Sequence, residues 1–357
     1  MARSIERCSL PVLNLTDSPS QLRLPVSSRP KAGLKVLLDR KKSVHALVAA
    51  TGLSTGRLNK EQSAFLMGHA DVWGINQAFL HHYLVPSFYN VEMRTVVDHR
   101  DAKGTKGCRK LPSGKSECGF RKAVRSALVW EQFDATKRAA YRDTVFLCKS
   151  EHVREVGEVL RNGAQCPHAI VTYRIKNAVT TCNKESKSRM MTILRTSLRP
   201  ANSYVREFCS SSLSRVVDLI VRMRYSTLSF VGVDLNSQYH FYTALPSYAD
   251  VKRRMPEAYE DSIVAFVRRM NQNTTQHATA ARGIHRFLDV LGMVAKGRLA
   301  LFNLSPESML RSNLHVTTTS VPSEVGKLDT WWHKHHADTD RKHRHARKML
   351  LQLRQYS

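Results

Sequence analysis

The chain has 357 residues, with 56 Lys+Arg against 29 Asp+Glu and a formal net charge of +27 before any of its 16 histidines protonates. Hydrophobic residues make up 42%, enough to build a sizeable core, which excludes a wholly disordered chain. No run approaches the roughly 18–20 uninterrupted apolar residues of a membrane-spanning helix, so no membrane insertion is expected. A surface this basic calls for a polyanion, and nucleic acid is the default partner.

Residues 1–33 are polar, with Pro11, Pro19, Pro25 and Pro30, and read as an extended N-terminal arm. Arg3, Arg7, Arg23 and Arg29 among serines are compatible with an organelle transit segment, against which Glu6 and Asp17 count. Leu34, Leu37, Leu38, Val44, Leu47 and Val48 fall at helical spacing. A second helix is predicted from Lys60 to about Leu84, stopped by Pro86, so 34–97 reads as a helical segment. Residues 98–122 differ in kind: Arg100, Lys103, Lys106, Arg109, Lys110, Lys115, Arg121 and Lys122 alternate with Gly104, Gly107, Gly114 and Gly119. That composition predicts a flexible basic loop that contacts phosphates and orders on binding.

An α+β core is predicted over 123–310. Its first part is helical, through Val124, Leu128, Val129, Trp130 and Phe133. Thr144–Cys148 reads as a strand, Glu151–Leu160 as a helix capped by Ser150 and stopped by Asn162-Gly163, and Ala169–Ile175 as a second strand. Together they make a β-α-β unit near 144–175. An amphipathic helix covers Ser212–Met223. Two β-rich runs, Leu228–Leu235 and Gln238–Ala244, flank Asn236-Ser237 as a hairpin near 228–244. Further helices are predicted over Pro256–Met270 and Ile284–Leu301, and 311–357 is a basic C-terminal tail. The fold class is therefore α+β, helix-rich, with a small mixed sheet and extended basic termini.

Cysteine and motif content narrows the chemistry. Seven cysteines, an odd number without clustered spacing, do not form a secreted disulfide framework, so a reducing compartment is expected. Cys148, His152, Cys166 and His168 form a scattered set without the tight-turn spacing of a zinc knuckle, and no cofactor is expected. Neither a P-loop nor a Gly-x-Gly-x-x-Gly turn is present, nor a Gly-x-Ser-x-Gly elbow. Val231-Gly232-Val233-Asp234 resembles the first catalytic strand of RNase H-like and RuvC-like nucleases, in which the Asp holds a divalent metal. That resemblance implies, as one alternative, a metal-dependent nuclease using Asp234. The run Trp130–Tyr141 resembles the second half of an HMG box, with a Lys and an aromatic following the Trp at similar spacing. It implies a DNA-binding architectural protein as another alternative, although Pro112 lies too close to Trp130 for the family's first helix.

The tail supplies Trp331, Trp332, Lys334, Arg341, Lys342, Arg344, Arg347 and Lys348. Its cations suit phosphates, and its indoles suit stacking on unpaired bases. A DNA reader concentrates cations on one module; here they occur in the arm, the 98–122 loop, residues 184–206 and the tail. In this overall character, including Trp331-Trp332-His333-Lys334-His335-His336, the chain resembles accessory mitochondrial ribosomal proteins of the trypanosomatid type. The resemblance implies a non-catalytic RNA-binding structural component of a mitochondrial ribosome or its assembly intermediate. Its partners would be ribosomal RNA and neighbouring proteins of the complex.

Overall fold

The computed structural model describes residues 12–15, 33–76, 78, 81–91, 108–110, 116–118, 140–153, 156, 168–180, 182–197, 204–235, 274–337, 339 and 341. The strands are β1 (Val12–Asn14), β2 (His45–Ala49), β3 (Asp71–Ile75), β4 (Phe88–Asn90), β5 (Cys108–Lys110), β6 (Ser116–Cys118), β7 (Val145–Lys149), β8 (Ala169–Val179), β9 (Tyr204–Phe208), β10 (Thr227–Val231), β11 (Ala300–Asn303) and β12 (Val316–Thr318). The helices are α1 (Gly33–Arg40), α2 (Leu53–Gly56), α3 (Lys60–His69), α4 (Lys187–Ser197), α5 (Ser212–Arg222), α6 (Thr274–Val294) and α7 (328–337).

Ten strands join one sheet in the order β1-β8-β7-β4-β3-β2-β10-β11-β12, with β9 also beside β8. Every pairing in it is parallel. A sheet of this kind must be covered on both faces, because its crossovers are helical. Side chains alternate along each strand. Val48, Trp73, Phe88 and Tyr173 therefore pack on Leu37 of α1, Val216 and Ile220 of α5, and Phe287 and Leu291 of α6. On the opposite face Leu47, Val72, Val231 and Phe302 pack on Leu66 of α3 and on Trp331 and Trp332 of α7. From β2 the chain lays down β3, β4, β7 and β8 in one direction, and then β10, β11 and β12 on the other side of β2. The strand order thus reverses between β2 and β10.

Helix and strand are mixed through the chain, as expected. β7 and β8 are parallel neighbours in the register Val145↔Ala169, within the expected β-α-β unit. α5 matches the helix expected over Ser212–Met223 almost residue for residue. Other expectations are corrected. The helical spacing over 34–50 conceals a helix followed by a strand, and the helix begun at Lys60 ends at His69 before β3. In both places a fully buried strand has no polar alternation to separate it from a helix. The expected helix through Leu301 likewise ends at Val294, and β11 begins at Ala300. β10 has parallel neighbours on both edges, so its partners are β2 and β11 and not a hairpin strand; residues 238–244 lie outside the described residues. Within the basic 98–122 segment, β5 and β6 pair antiparallel. The sheet draws strands from residue 12 to residue 318 and runs through the boundaries expected at 33, 97, 122 and 310. The HMG-like run up to 139 and the helix expected over Pro256–Met270 lie outside the described residues.

Candidate functional site at the strand-order reversal

Where strand order reverses in a doubly wound sheet, the loops leaving the two strands depart towards opposite faces and open a crevice at their carboxyl ends. Here those loops follow β2 and β10. Their backbones stay in contact beyond the strands: Ala50 N donates to Val231 O at 2.9 Å and Gly52 N to Gly232 O at 2.8 Å. The approach demands glycine on both sides. A Cβ at Gly52 would stand 2.5 Å from Asp234 Oδ2, and one at Gly232, where φ is +72°, would stand 2.5 Å from Ala50 O.

Ser54 is the hub of the crevice. Its hydroxyl donates to Asp234 Oδ1 at 2.5 Å and accepts from Gly232 N at 2.8 Å, while its own amide donates to Asp234 Oδ2 at 3.1 Å. Ser305, from the loop after β11, donates its hydroxyl to Ser54 Oγ at 2.6 Å. That loop is clamped in turn, since Met309 N donates to Asp234 O and Ser308 Oγ to Val233 O. Asp234 is thereby fixed, with only 7% of it exposed. A cavity of about 200 Å³ opens here, lined by Leu53, Ser54, Arg57, Asp234, Ser305, Pro306 and Glu307. At its mouth Arg57 Nη1 meets Glu307 Oε2 at 2.6 Å, which raises the guanidinium pKa and lowers that of the carboxyl through the shared hydrogen bond.

The rim continues over β3 and β4. Asn76 follows β3 at φ +54°, and its Oδ1 accepts from Ser212 Oγ in the first turn of α5 at 3.3 Å. Asn90 ends β4, fully buried; its Oδ1 accepts from Tyr173 Oη at 2.6 Å, and its Nδ2 has no partner among the described residues. A buried amide donor left unpaired costs about 1–3 kcal/mol, and such groups are rare enough that each requires a reason. Sealed from solvent, this amide is a cost of the Asn90–Tyr173 pair and offers no exposed donor to the crevice. The opposite edge is structural by contrast: Asp71 accepts from Lys42 N, Ser43 N and Tyr225 Oη, and burial raises its pKa.

The residues expected from sequence to bind nucleic acid do not gather at this crevice. Trp331 and Trp332 are 8% and 3% exposed, which corrects their assignment to base stacking. Trp331 Nε1 donates to Thr319 Oγ1 at 2.9 Å and the Trp332 ring stacks on His336 at 3.8 Å, docking α7 against the sheet. Lys334 and Arg341 are exposed, and Arg109 and Lys110 lie on β5. Arg100, Lys103, Lys106, Lys115, Arg121, Lys122, Lys342, Arg344, Arg347 and Lys348 lie outside the described residues. Of the scattered Cys/His set, Cys148 is buried in β7, His152 lies on the short turn after it beside Glu151, and Cys166 is outside the described residues. Among the described residues no three His, Cys, Asp or Glu side chains stand together as a metal site.

Asp234 belongs to the site, but in a setting unlike the nuclease strand. Its strand lies in the middle of a parallel sheet, and both of its carboxylate oxygens accept hydrogen bonds from Ser54. Gly52, Ser54, Asn76, Asn90, Ser212 and Ser305 were not singled out from sequence. The one local signal was the small-residue run Ala49-Ala50-Thr51-Gly52-Leu53-Ser54-Thr55-Gly56 after an apolar stretch. Compared with known proteins, no family model, no curated protein and no solved structure matches this chain.

Proposed function

We propose that the chain binds a nucleotide across the carboxyl ends of β4, β3, β2 and β10, with a hydroxyl-bearing group attached to that nucleotide in the cavity beside Asp234. The reversal of strand order between β2 and β10 carries this reading, since ligands of open parallel sheets lie at that point. The half-buried Asn76 offers a neutral donor and acceptor suited to a base or ribose, and the first turn of α5 beside it offers amides suited to a phosphate. The cavity has two carboxylates, Asp234 and Glu307, against the single guanidinium of Arg57. That balance favours a neutral polyhydroxyl group over a second phosphate, and makes a nucleotide-linked group donor the fitting ligand. A nicotinamide dinucleotide fits less well. Its usual turn has three glycines and its second strand ends in an acidic residue, whereas this turn has Gly52 and Gly56 and β3 is followed by Asn76.

The test is a thermal-unfolding titration with nucleoside mono- and diphosphates, free and sugar-linked, with NAD as control. A ligand at 100 times its Kd stabilises by about 2.7 kcal/mol, an easily read shift. Asn76→Ala should lower nucleotide affinity about tenfold, the equivalent of one hydrogen bond of about 1.4 kcal/mol. Absence of any nucleotide-dependent shift removes the proposal.

The net charge of +27 favours a second reading, that of an RNA-associated structural protein of a mitochondrial ribonucleoprotein. Deleting 342–357, which leaves α7 in place, should then weaken RNA binding and flatten its salt dependence. Unchanged binding to RNA counts against it.

A further inference from the structure

Cys182 and Cys209 are joined by a disulfide, their Cα atoms 5.2 Å apart and 27 residues apart in sequence. The bridge ties the chain leaving β8 to the chain leaving β9, and α6 crosses it at Gly283. Arg286 Nη1 donates to Cys182 O at 2.5 Å, and Cys182 is only 7% exposed. Cys182 is buried and Cys209 half-buried, and bridges persist in oxidising compartments but are rare where glutathione and thioredoxin keep thiols reduced. It stands against the reducing compartment expected from the cysteine count.

A second pair is placed by backbone register. β5 and β6 run antiparallel with Cys108 directly opposite Cys118. Directly opposed residues of an antiparallel pair have Cα atoms about 4.5 or 5.5 Å apart, and both spacings lie within the roughly 4.4–6.8 Å that a disulfide spans. Cys148, buried within β7, lies outside the Cys182–Cys209 bridge.

We propose that Cys108 and Cys118 form a second disulfide, and that the chain matures in an oxidising compartment. Formation removes two protons and two electrons from the two thiols. Both pass to a disulfide of an exchange partner, a protein disulfide or oxidised glutathione, which leaves as two thiols. The bridge would tie β5 to β6 within the basic segment. An oxidising compartment also weighs against residence in a matrix ribosome. It leaves the nucleotide reading untouched.

The experiment uses the full chain from its native cells, acid-quenched and alkylated with N-ethylmaleimide before tryptic mapping without reductant. Cleavage at Arg109, Lys110 and Lys115 separates the two cysteines, so a bridge between them appears as one cross-linked mass. The expected map has Cys108 joined to Cys118, Cys182 joined to Cys209, and Cys148 alkylated only after unfolding. Alkylation of Cys108 and Cys118 without reductant rejects the second bridge. Alkylation of Cys182 and Cys209 as well rejects the compartment.

Discussion

Ser54→Ala is the sharpest perturbation of the crevice, because one hydroxyl closes three contacts there. It donates to the Asp234 carboxylate at 2.5 Å, accepts from Gly232 N at 2.8 Å and accepts from Ser305 Oγ at 2.6 Å. A hydrogen bond to a charged group is worth about 1.5–3 kcal/mol and a neutral one about 0.5–1.5. The simple sum is about 4 kcal/mol, and non-additivity within one network reduces the expectation to about 2–4 kcal/mol. Ser305→Ala removes only the last of these contacts and should cost about 1 kcal/mol. The assay is urea unfolding of both variants, with Asp234→Asn completing a double-mutant cycle with Ser54→Ala; the coupling expected is at least about 1 kcal/mol. Equal losses for the two serine variants, or a coupling near zero, would refute the view that Ser54 holds the loops after β2, β10 and β11 together.

Gly52→Ala forces a Cβ to within 2.5 Å of Asp234 Oδ2 and 2.6 Å of Gly232 O; it should cost about 1–3 kcal/mol, read as a lower urea midpoint. Gly68→Ala is its control, since that helical position meets nothing within 4 Å; it should raise stability by about 0.5–1 kcal/mol. Trp332→Ala removes a 3%-exposed indole between α7 and the sheet, with an expected loss of about 3–5 kcal/mol in the same assay; a loss under 1 kcal/mol would return this residue to the surface. Burial, and secondarily Lys334, lowers the His335 pKa below its ordinary 6.5. The folded state then binds this proton less readily than the unfolded one, so stability is full above about pH 6.5 and falls as the pH drops towards the lowered folded value. Tryptophan fluorescence across that window should report loosening of α7, and His335→Gln should flatten the profile.

What could be read from sequence follows the physics of each element. α5 was legible because Leu213, Val216, Val217, Ile220 and Val221 recur with helical period behind the cap Ser211, whose hydroxyl accepts from Leu213 N. β7 and β8 were legible because a turn signal separates two short apolar runs. β2 and β3 were not. Buried on every residue, they show neither the alternation of a half-exposed strand nor a polar stripe to deny a helix. The crevice was hidden for a different reason. Ser54 meets Asp234 across 180 residues and Ser305 across 251, and only the reversal of strand order between β2 and β10 brings them together. No short motif encodes such a meeting; Val231-Gly232-Val233-Asp234 includes a carboxylate of the crevice, set among neighbours unlike those of the nuclease strand. The charge shows the same limit from the other side. By itself it implies nucleic-acid affinity spread over the whole chain, with the two tail indoles as base stackers. Those indoles are core, so residues 328–337 dock α7 on the sheet, and any RNA contact of the described tail falls to exposed cations such as Lys334 and Arg341. The net positive charge and the crevice at the sheet's centre are separate features of this chain. Each answers to its own assay, salt dependence for the first and nucleotide titration for the second.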